Sequence, residues 1–329
     1  MEVNCEGCAG CCMDWRSLLE KSGSAPRGDG AGETDRRHRR RDDPFAGDGS
    51  ERPPRDPLDD DATFVPLTRD EVRGFLEAGM GEALTPRFWE ARGEDDGVAV
   101  DGHTLAAVAG RPAFFVGLRK PPKPVAPFGL AEPVWLPACV FLDPTTLQCR
   151  IHGGERFPDE CGAYPEHNLA LDAAAECERV EAAFGGERLL DADHDGSEGL
   201  LLGSQAIGAK LFCHPRPADL EGIVDRAAAG SLTRADRTEL VAIAAASSPG
   251  TLAISGQHYE RARERMLDDA DGGAGPENDG EAPSWVGPAI RDWRRRFRDA
   301  DGTVPSPAVA DAVETDRGAP ETPGWDGLE

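Results

Sequence analysis

The chain has 329 residues, nine cysteines and a formal charge of −25, from 61 acidic and 36 basic side chains. The length suits one or two globular domains plus accessory segments, since domains run to roughly 100–200 residues. So large an acidic excess argues against wholesale binding to nucleic acid or to an anionic membrane, which need basic surface; it fits a carboxylate-rich surface that stays hydrated in high salt.

Met1-Glu2-Val3-Asn4-Cys5 has no basic stretch followed by an apolar run, so no signal peptide is expected. No window approaches the ~20 apolar residues that span a bilayer. A soluble, cytoplasmic protein is expected. In a reducing compartment, clustered thiols bind metal more often than they pair.

Residues 21–61 contain almost no large apolar side chains apart from Phe45 and Leu58. Such a stretch cannot offset the entropy of ordering and is expected to be a disordered insertion. Its run Arg36-Arg37-His38-Arg39-Arg40-Arg41 reads as a solvated charge run balanced by nearby acids rather than a nucleic-acid patch. Thr68-Arg69-Asp70-Glu71 predicts a capping box opening a helix that runs to about Ala78. Residues 81–91 suggest a second helix interrupted by Pro86. Thr104–Val108 and Ala113–Leu118 suit strands. Pro121, Pro122, Pro124 and Pro127 imply an extended, irregular path, and Asn168–Asp172 one further strand. From Glu198 the pattern turns helical: Leu200, Leu201, Ile207 and Leu211 share helical spacing, as do Leu220, Ile223 and Val224. Thr233–Asp236 caps a third helix and a fourth spans about 256–268. Residues 268–283 read as a polar linker and 300–329 as a loose tail. In 284–299, Trp285, Ile290, Trp293 and Phe297 oppose Arg291, Arg294, Arg295, Arg296 and Arg298. This amphipathic helix either packs back on the domain or contacts a protein partner.

The strongest chemical signal is Cys5-x2-Cys8-x2-Cys11-Cys12. A Cys-x2-Cys spacing lets two sulfurs converge on one ion across a tight turn, with Gly7 and Gly10 relaxing the backbone between them. Neighbouring Cys11 and Cys12 point in different directions, which implies two ions or one bridging sulfur. A second group follows far along the chain: Cys139, Cys149 and Cys161, in the contexts Cys139-Val140-Phe141-Leu142, Cys149-Arg150-Ile151-His152 and Cys161-Gly162-Ala163-Tyr164-Pro165. Cys177 makes an eighth thiol. Eight thiolates would complete two tetrahedral sites or one iron–sulfur cluster with spare ligands. Residues 5–12 and 139–161 are expected to meet in space.

These segments, in this order, resemble the YkgJ-type CxxCxxCC cysteine-cluster family, described as a zinc- or iron-chelating domain. The resemblance covers residues 1–20 and about 62–180. Gly162 stands where the family commonly has Arg, and Arg156-Phe157-Pro158 where it has Arg-Pro. A similar domain occurs with flagellin lysine methyl-transfer enzymes. The resemblance implies metal binding, with zinc or iron as cofactor, and no particular reaction. Zinc tolerates irregular loops. An iron–sulfur cluster wants the same ligands plus an apolar shell, for which Trp15, Phe141, Leu142 and Tyr164 are candidates.

Weaker signals stand beside this one. Cys213-His214-Pro215 reads as core rather than ligand. His152 and His167 flank the second thiol group and are more simply loop residues; His103, His194 and His258 lack supporting context. Asp191-x-Asp193-x-Asp195-Gly196 matches half a calcium loop but lacks the bidentate Glu at the twelfth position. No nucleophile elbow, phosphate loop or dinucleotide fingerprint is present.

The sequence therefore predicts an α+β, loop-rich cysteine-cluster metal-binding domain over 1–20 and 62–195. A helical subdomain follows over 196–270, then a linker, a short amphipathic helix and a tail over 271–329. The expected ligands are Cys5, Cys8, Cys11, Cys12, Cys139, Cys149, Cys161 and Cys177. The rival expectations are an iron–sulfur-dependent oxidoreductase or methyl-transfer enzyme, and a zinc-stapled interaction module.

Overall fold

A computed structural model describes residues 2–22, 56–60, 63–93, 96–170, 174–193, 199–268 and 284–325. Almost all of the expected insertion lies outside the described residues, as do the arginine run, His194, Asp195 and nearly all of the 268–283 linker.

In chain order the elements begin with β1 (Glu2–Val3), α1 (Arg16–Ser22) and α2 (Arg69–Glu77). Strands β2 (Leu84–Phe88), β3 (Gly97–Val100), β4 (His103–Val108), β5 (Arg111–Leu118), β6 (Pro122–Val125) and β7 (Val134–Pro137) follow. Next come α3 (Asp159–Ala163), α4 (Glu166–Ala170), α5 (Glu176–Phe184), β8 (Leu189–Asp191) and β9 (Phe212–Cys213). The chain ends with α6 (Ile223–Ala228), α7 (Arg234–Ala246), α8 (Gly256–Asp268), α9 (Val286–Asp299) and α10 (Pro307–Thr315). The protein is a mixed α+β chain with several sheets.

Two compact units interleave along the chain. Unit 1 takes Met1–Arg41, Arg119–Leu200 and Trp285–Glu329; unit 2 takes Asp42–Leu118 and Leu201–Ser284. This division falls elsewhere than the sequence boundaries, because the strands of 84–118 group with the helices of 201–284.

Unit 2 is built on an antiparallel sheet in the order β2-β5-β4-β3, with β9 also pairing β5. Its core includes Phe64, Ala113, Phe115, Ala206, Leu211 and Cys213. Two helices start where the sequence places their caps. Thr68 Oγ1 accepts from Glu71 N, and Glu71 Oε2 accepts from Thr68 N, so α2 opens with a reciprocal box that satisfies orphan donors. It buries Val72, Phe75 and Leu76, one stripe of a 3.6-residue period. Helix α7 repeats the device with Thr233 and Asp236.

Two expectations in this unit are corrected, and a third residue lies in the core as expected. Residues 84–88 form strand β2 rather than a broken helix; β2 ends the strand order, where a proline's missing donor is tolerated. The apolar spacing of 200–211 is not helical, because Gly203 and Gly208 take positive φ and turn the chain. A Cβ on Gly208 would lie 2.1 Å from the Ser248 carbonyl oxygen, so the turn is pressed against that loop. Cys213 sits on a strand, buried against β5.

Unit 1 has two strand pairs, β1–β8 and β6–β7, several short helices and the 14-residue α9. The proline-rich stretch is not irregular. Pro122 and Pro124 lie two residues apart in β6, so both missing donors share one edge, while Lys123 and Val125 share the opposite face and are both fully buried. Residues 166–170 are a helical turn where a strand was expected, with Asn168 N and Leu169 N bonded to the Pro165 carbonyl. Residues read as a loose tail contain α10, with Ala310, Val313 and Glu314 buried. The Trp face of α9 is spent inside the unit: Trp285, Ile290 and Trp293 are buried, and Phe297 alone of the four is exposed. Among the described residues, no helix is long and apolar enough to cross a membrane.

Asp236 offers a test of the local reading. Burial raises its pKa, but hydrogen bonds from Arg226 and Thr233 outweigh that and hold it near about 2, below the ordinary 3.8. A lowered carboxylate contributes stability that is present above pH 3.8 and lost as pH falls through about 2. Asp236→Ala is expected to cost about 1 kcal/mol at neutral pH. It should also flatten the acid limb of the denaturation profile between pH 4 and 2; an unchanged limb would show that the cap is not a stabilising element.

Candidate functional site

The amino-terminal thiols are held by a tight double turn. Gly7 and Ala9 take positive φ (60° and 50°). Cys8 N donates to the Cys5 carbonyl at 3.0 Å and Cys12 N to the Ala9 carbonyl at 2.9 Å, leading into a 3-10 turn over Gly10–Cys12. Gly10 is required by packing: a Cβ there would stand 2.6 Å from Val180 Cγ2 on α5. Helix α5 therefore lies directly on the turn, and it carries Cys177 in its first turn.

The second thiol group reaches the other end of the same turn. Cys139 N donates to the Cys12 carbonyl at 2.7 Å, and the Cys139 carbonyl accepts from Leu142 N at 2.9 Å. Leu142 and Cys149 form a β-bridge. Cys161 lies in α3. The sulfurs of Cys11 and Cys12 are 3.8 Å apart. Residues 5–12 and 139–149 are thus side by side.

An apolar shell surrounds these thiols. Cys8, Met13, Trp15, Leu136, Ala138, Leu142, Leu147 and Val180 share one core, with Cys12 and Cys139 packed against it. Trp15 meets Phe128 and Phe184 edge-on, and those two rings stack at 4.6 Å. Trp15 Nε1 donates to Glu176 Oε1 at 2.7 Å, anchoring the start of α5 to the turn. Sequence reading named Trp15, Phe141, Leu142 and Tyr164 for this shell. It missed Phe128, Phe184 and Val180, whose only sequence signal is a phenylalanine and a valine in loops and helices without apolar runs.

Seven of these thiols, all but Cys11, are pushed towards the protonated form. Desolvation and then repulsion from Cys11, Cys8 and Cys177 raise Cys5 to about 12, although its side chain reaches the surface. Desolvation followed by Cys139 raises Cys149 to about 12, and desolvation raises Cys177 to about 11. Burial lifts Cys8, Cys139 and Cys161. Cys12 is lifted first by its contact with Cys11 and then by burial. Cys11 repels each of the other seven. Three cations oppose the trend: Arg188 beside Cys5 and Cys8, Lys123 beside Cys139 and Cys149, and Lys120 beside Cys139. Such a set can ionise together only if a cation joins it. Among the described residues, no three of these side chains are already arranged as a metal-holding group; closing on an ion would draw the sulfurs inward.

The other candidates stand apart from this set. His152 is exposed against the Phe157 ring, and His167 is buried with Nδ1 3.5 Å from Glu160 Oε1. In unit 2, buried His214 has Nε2 3.4 Å from Glu239 Oε1, and Tyr259 donates to Glu239 Oε2 at 2.5 Å. His103 pairs with Asp225 at 3.3 Å. Asp191 belongs to strand β8, and the third acid of that half calcium loop lies outside the described residues.

Sequence reading also missed the buried ionic cluster that holds the second thiol loop. Lys123 Nζ lies 2.5 Å from Glu314 Oε1 and donates to the carbonyls of Val140 and Leu142 at 2.8 and 2.6 Å. Arg150 Nε donates to Glu314 Oε2 at 2.8 Å, its Nη2 is 2.9 Å from Asp143 Oδ2, and its Nη1 reaches the Pro320 carbonyl. Trp293 Nε1 also donates to Glu314, at 2.9 Å. Two cations face two anions with no water at Lys123 or Glu314, both 0% exposed. The cluster fixes α9 and α10 onto the segment between Cys139 and Cys149.

Residues 1–326 match a protein family described as a family of unknown function, DUF7531. The chain belongs to the DUF7531 family. No curated protein and no solved structure matches it.

This DUF7531 chain yields two tests. Glu314→Ala leaves Lys123 and Arg150 short of a buried partner and is expected to cost about 3–5 kcal/mol. Glu314→Gln, nearly isosteric, should also be clearly destabilised, because the charge is what it lacks. Denaturant unfolding followed by tryptophan fluorescence measures both, and variants within about 0.5 kcal/mol of the parent would show the cluster to be dispensable.

The second test concerns alkaline pH in the metal-free, reduced chain. The folded thiols titrate above their ordinary 9.0. Their contribution to stability is complete below pH 9 and lost as pH rises through about 11 to 12. The denaturant midpoint should therefore fall from pH 9 upward, less steeply in Cys177→Ser. A flat profile would show that the thiols are not desolvated.

Proposed function

We propose that unit 1 is a metal-chelating module of a cytoplasmic protein. It would hold zinc or an iron–sulfur cluster through Cys5, Cys8, Cys11, Cys12, Cys139, Cys149, Cys161 and Cys177. The observation that carries this reading is that the main chain of Cys139 bonds to that of Cys12, and that Cys11 acts electrostatically on the other seven of these thiols, which come from well-separated stretches of chain. The ninth, Cys213, lies in unit 2. The order of the cysteine segments, which underlies the resemblance to the YkgJ-type proteins, supports it. So does the chemistry of the donors: soft thiols in an apolar shell suit zinc or iron rather than magnesium or calcium.

When bound, the metal would supply the positive charge that lets neighbouring thiols ionise. The chain's own part is to place the sulfurs, exclude water with Trp15, Phe128 and Phe184, and balance residual negative charge with Lys120, Lys123 and Arg188. Each thiol gives up its proton on binding, so occupancy weakens as pH falls. For zinc, chelation and stability are one effect, contributing about 10 kcal/mol or more to a loop-rich unit.

Mass-spectrometric metal analysis of the purified full chain tests the reading. Bound zinc or iron is expected, falling at least several-fold in Cys8→Ser and Cys139→Ser. A brown preparation with acid-labile sulfide assigns an iron–sulfur cluster, and a colourless one zinc. Reduced protein that is free of transition metal, fails to take up added zinc or iron and is still fully folded would overturn the proposal.

A further inference from the structure

Resting on the chelation reading, the geometry points to two adjacent binding positions rather than one. We infer that Cys5, Cys8, Cys11 and Cys177 form the first, and Cys12, Cys139, Cys149 and Cys161 the second.

The backbone draws the line between them. On one side of the Gly10–Cys12 turn, Cys8 is bonded back to Cys5 through its main chain, and its Sγ lies 3.6 Å from the position a Gly10 Cβ would take. Val180 of α5 presses on that same position at 2.6 Å, so the helix bearing Cys177 covers this side. On the other side, hydrogen bonds run from Cys139 to Cys12 and from Leu142 to Cys139, and the bridge from Leu142 reaches Cys149. Successive residues of a 3-10 turn project roughly 120° apart, with three residues per turn. Cys11 and Cys12 therefore leave the backbone in different directions and serve different sides.

Apart from Cys11, which acts on both sets, the thiols that act on Cys5 are Cys8 and Cys177, and those that act on Cys161 are Cys139 and Cys149. The Cys11 sulfur stands 3.8 Å from that of Cys12. Two tetrahedral thiolate sites with bonds of ~2.3 Å would thus be neighbours, meeting at the Cys11–Cys12 pair. Counter-charge is divided as well. Arg188 attends Cys5 and Cys8, and Lys123 attends Cys139 and Cys149.

Titrating the reduced, metal-free full chain with Co(II) tests this, because thiolate-to-cobalt charge-transfer absorption reports binding without any activity. The expected result is two equivalents per chain, falling to one in Cys177→Ser and to one in Cys149→Ser. Cadmium-113 spectra of the Cd(II)-loaded full chain should show two thiolate resonances, which settles the count even where a variant fails to fold. One equivalent and one resonance would overturn the division while leaving chelation intact. So would a Cys177→Ser or Cys149→Ser chain that keeps the parent circular dichroism yet loses both equivalents. No uptake of either metal would overturn the chelation reading itself.

Discussion

Unit 1 depends on the burial of one carboxylate. Glu314 has no contact with water and accepts from Lys123, Arg150 and Trp293. A buried charge is tolerated only when paired and fully hydrogen-bonded, so these groups must come together for the unit to close. They come from β6, the loop after Cys149, α9 and α10. Each has further duties: Lys123 holds the Val140 and Leu142 carbonyls, and Arg150 holds Asp143 and the Pro320 carbonyl. Asp143 in turn accepts from Thr145 and Thr322. A loop-rich unit with few strand pairs thereby gains a polar centre that fixes where its loops lie. Ion pairs of this kind are weak sources of net stability but strong sources of geometric definition, because few other arrangements satisfy every group.

Unit 2 follows the opposite logic. Its sheet and its α7–α8 pair bury alanines, leucines and phenylalanines, and its polar contacts sit at helix starts and edges. The His214–Glu239–Tyr259 chain joins the residue after β9 to α7 and α8. The His214 hydrogen bond lowers Glu239, while desolvation and the Glu239 bond raise Tyr259 to about 12. Those directions keep glutamate charged and tyrosine neutral, which strengthens a brace between helices. Both features suit a scaffold, and the concentration of soft donors in unit 1 sets the chemistry of the two units apart.

What could be read in the sequence was local. The boxes at Thr68–Glu71 and Thr233–Asp236 involve groups three residues apart, so residue type and spacing suffice. Strands β4 and β5 alternate or run apolar over lengths that no competing pattern explains. The thiol spacing of Cys5–Cys12 is likewise local. What escaped was non-local or carried by single residues. Glu314 is one acid among 61, and nothing near it marks it as buried. Helix α10 is short and its buried apolar residues, Ala310 and Val313, are small, while its polar anchor is that carboxylate. Lys123 lies between two prolines, a context that reads as irregular until β7 pairs with it. The spacing at 200–211 matched a helix, but Gly203 and Gly208 overrule it through backbone conformations that a hydrophobic pattern does not encode.

Lys123 links the two features of unit 1 that matter most. Its ammonium pairs with Glu314 and also lowers the thiol pKa of Cys139 and Cys149. While Glu314 neutralises it, the field it lends to those sulfurs is partly cancelled, and they keep their protons. Were the carboxylate displaced, an unpaired buried ammonium would stand beside two thiols and favour their ionisation. One nitrogen thus touches both the buried carboxylate of α10 and the field at the cysteine loop. In a chain whose surface is overwhelmingly acidic, that placement gives the thiols a local field of the opposite sign to the one around them.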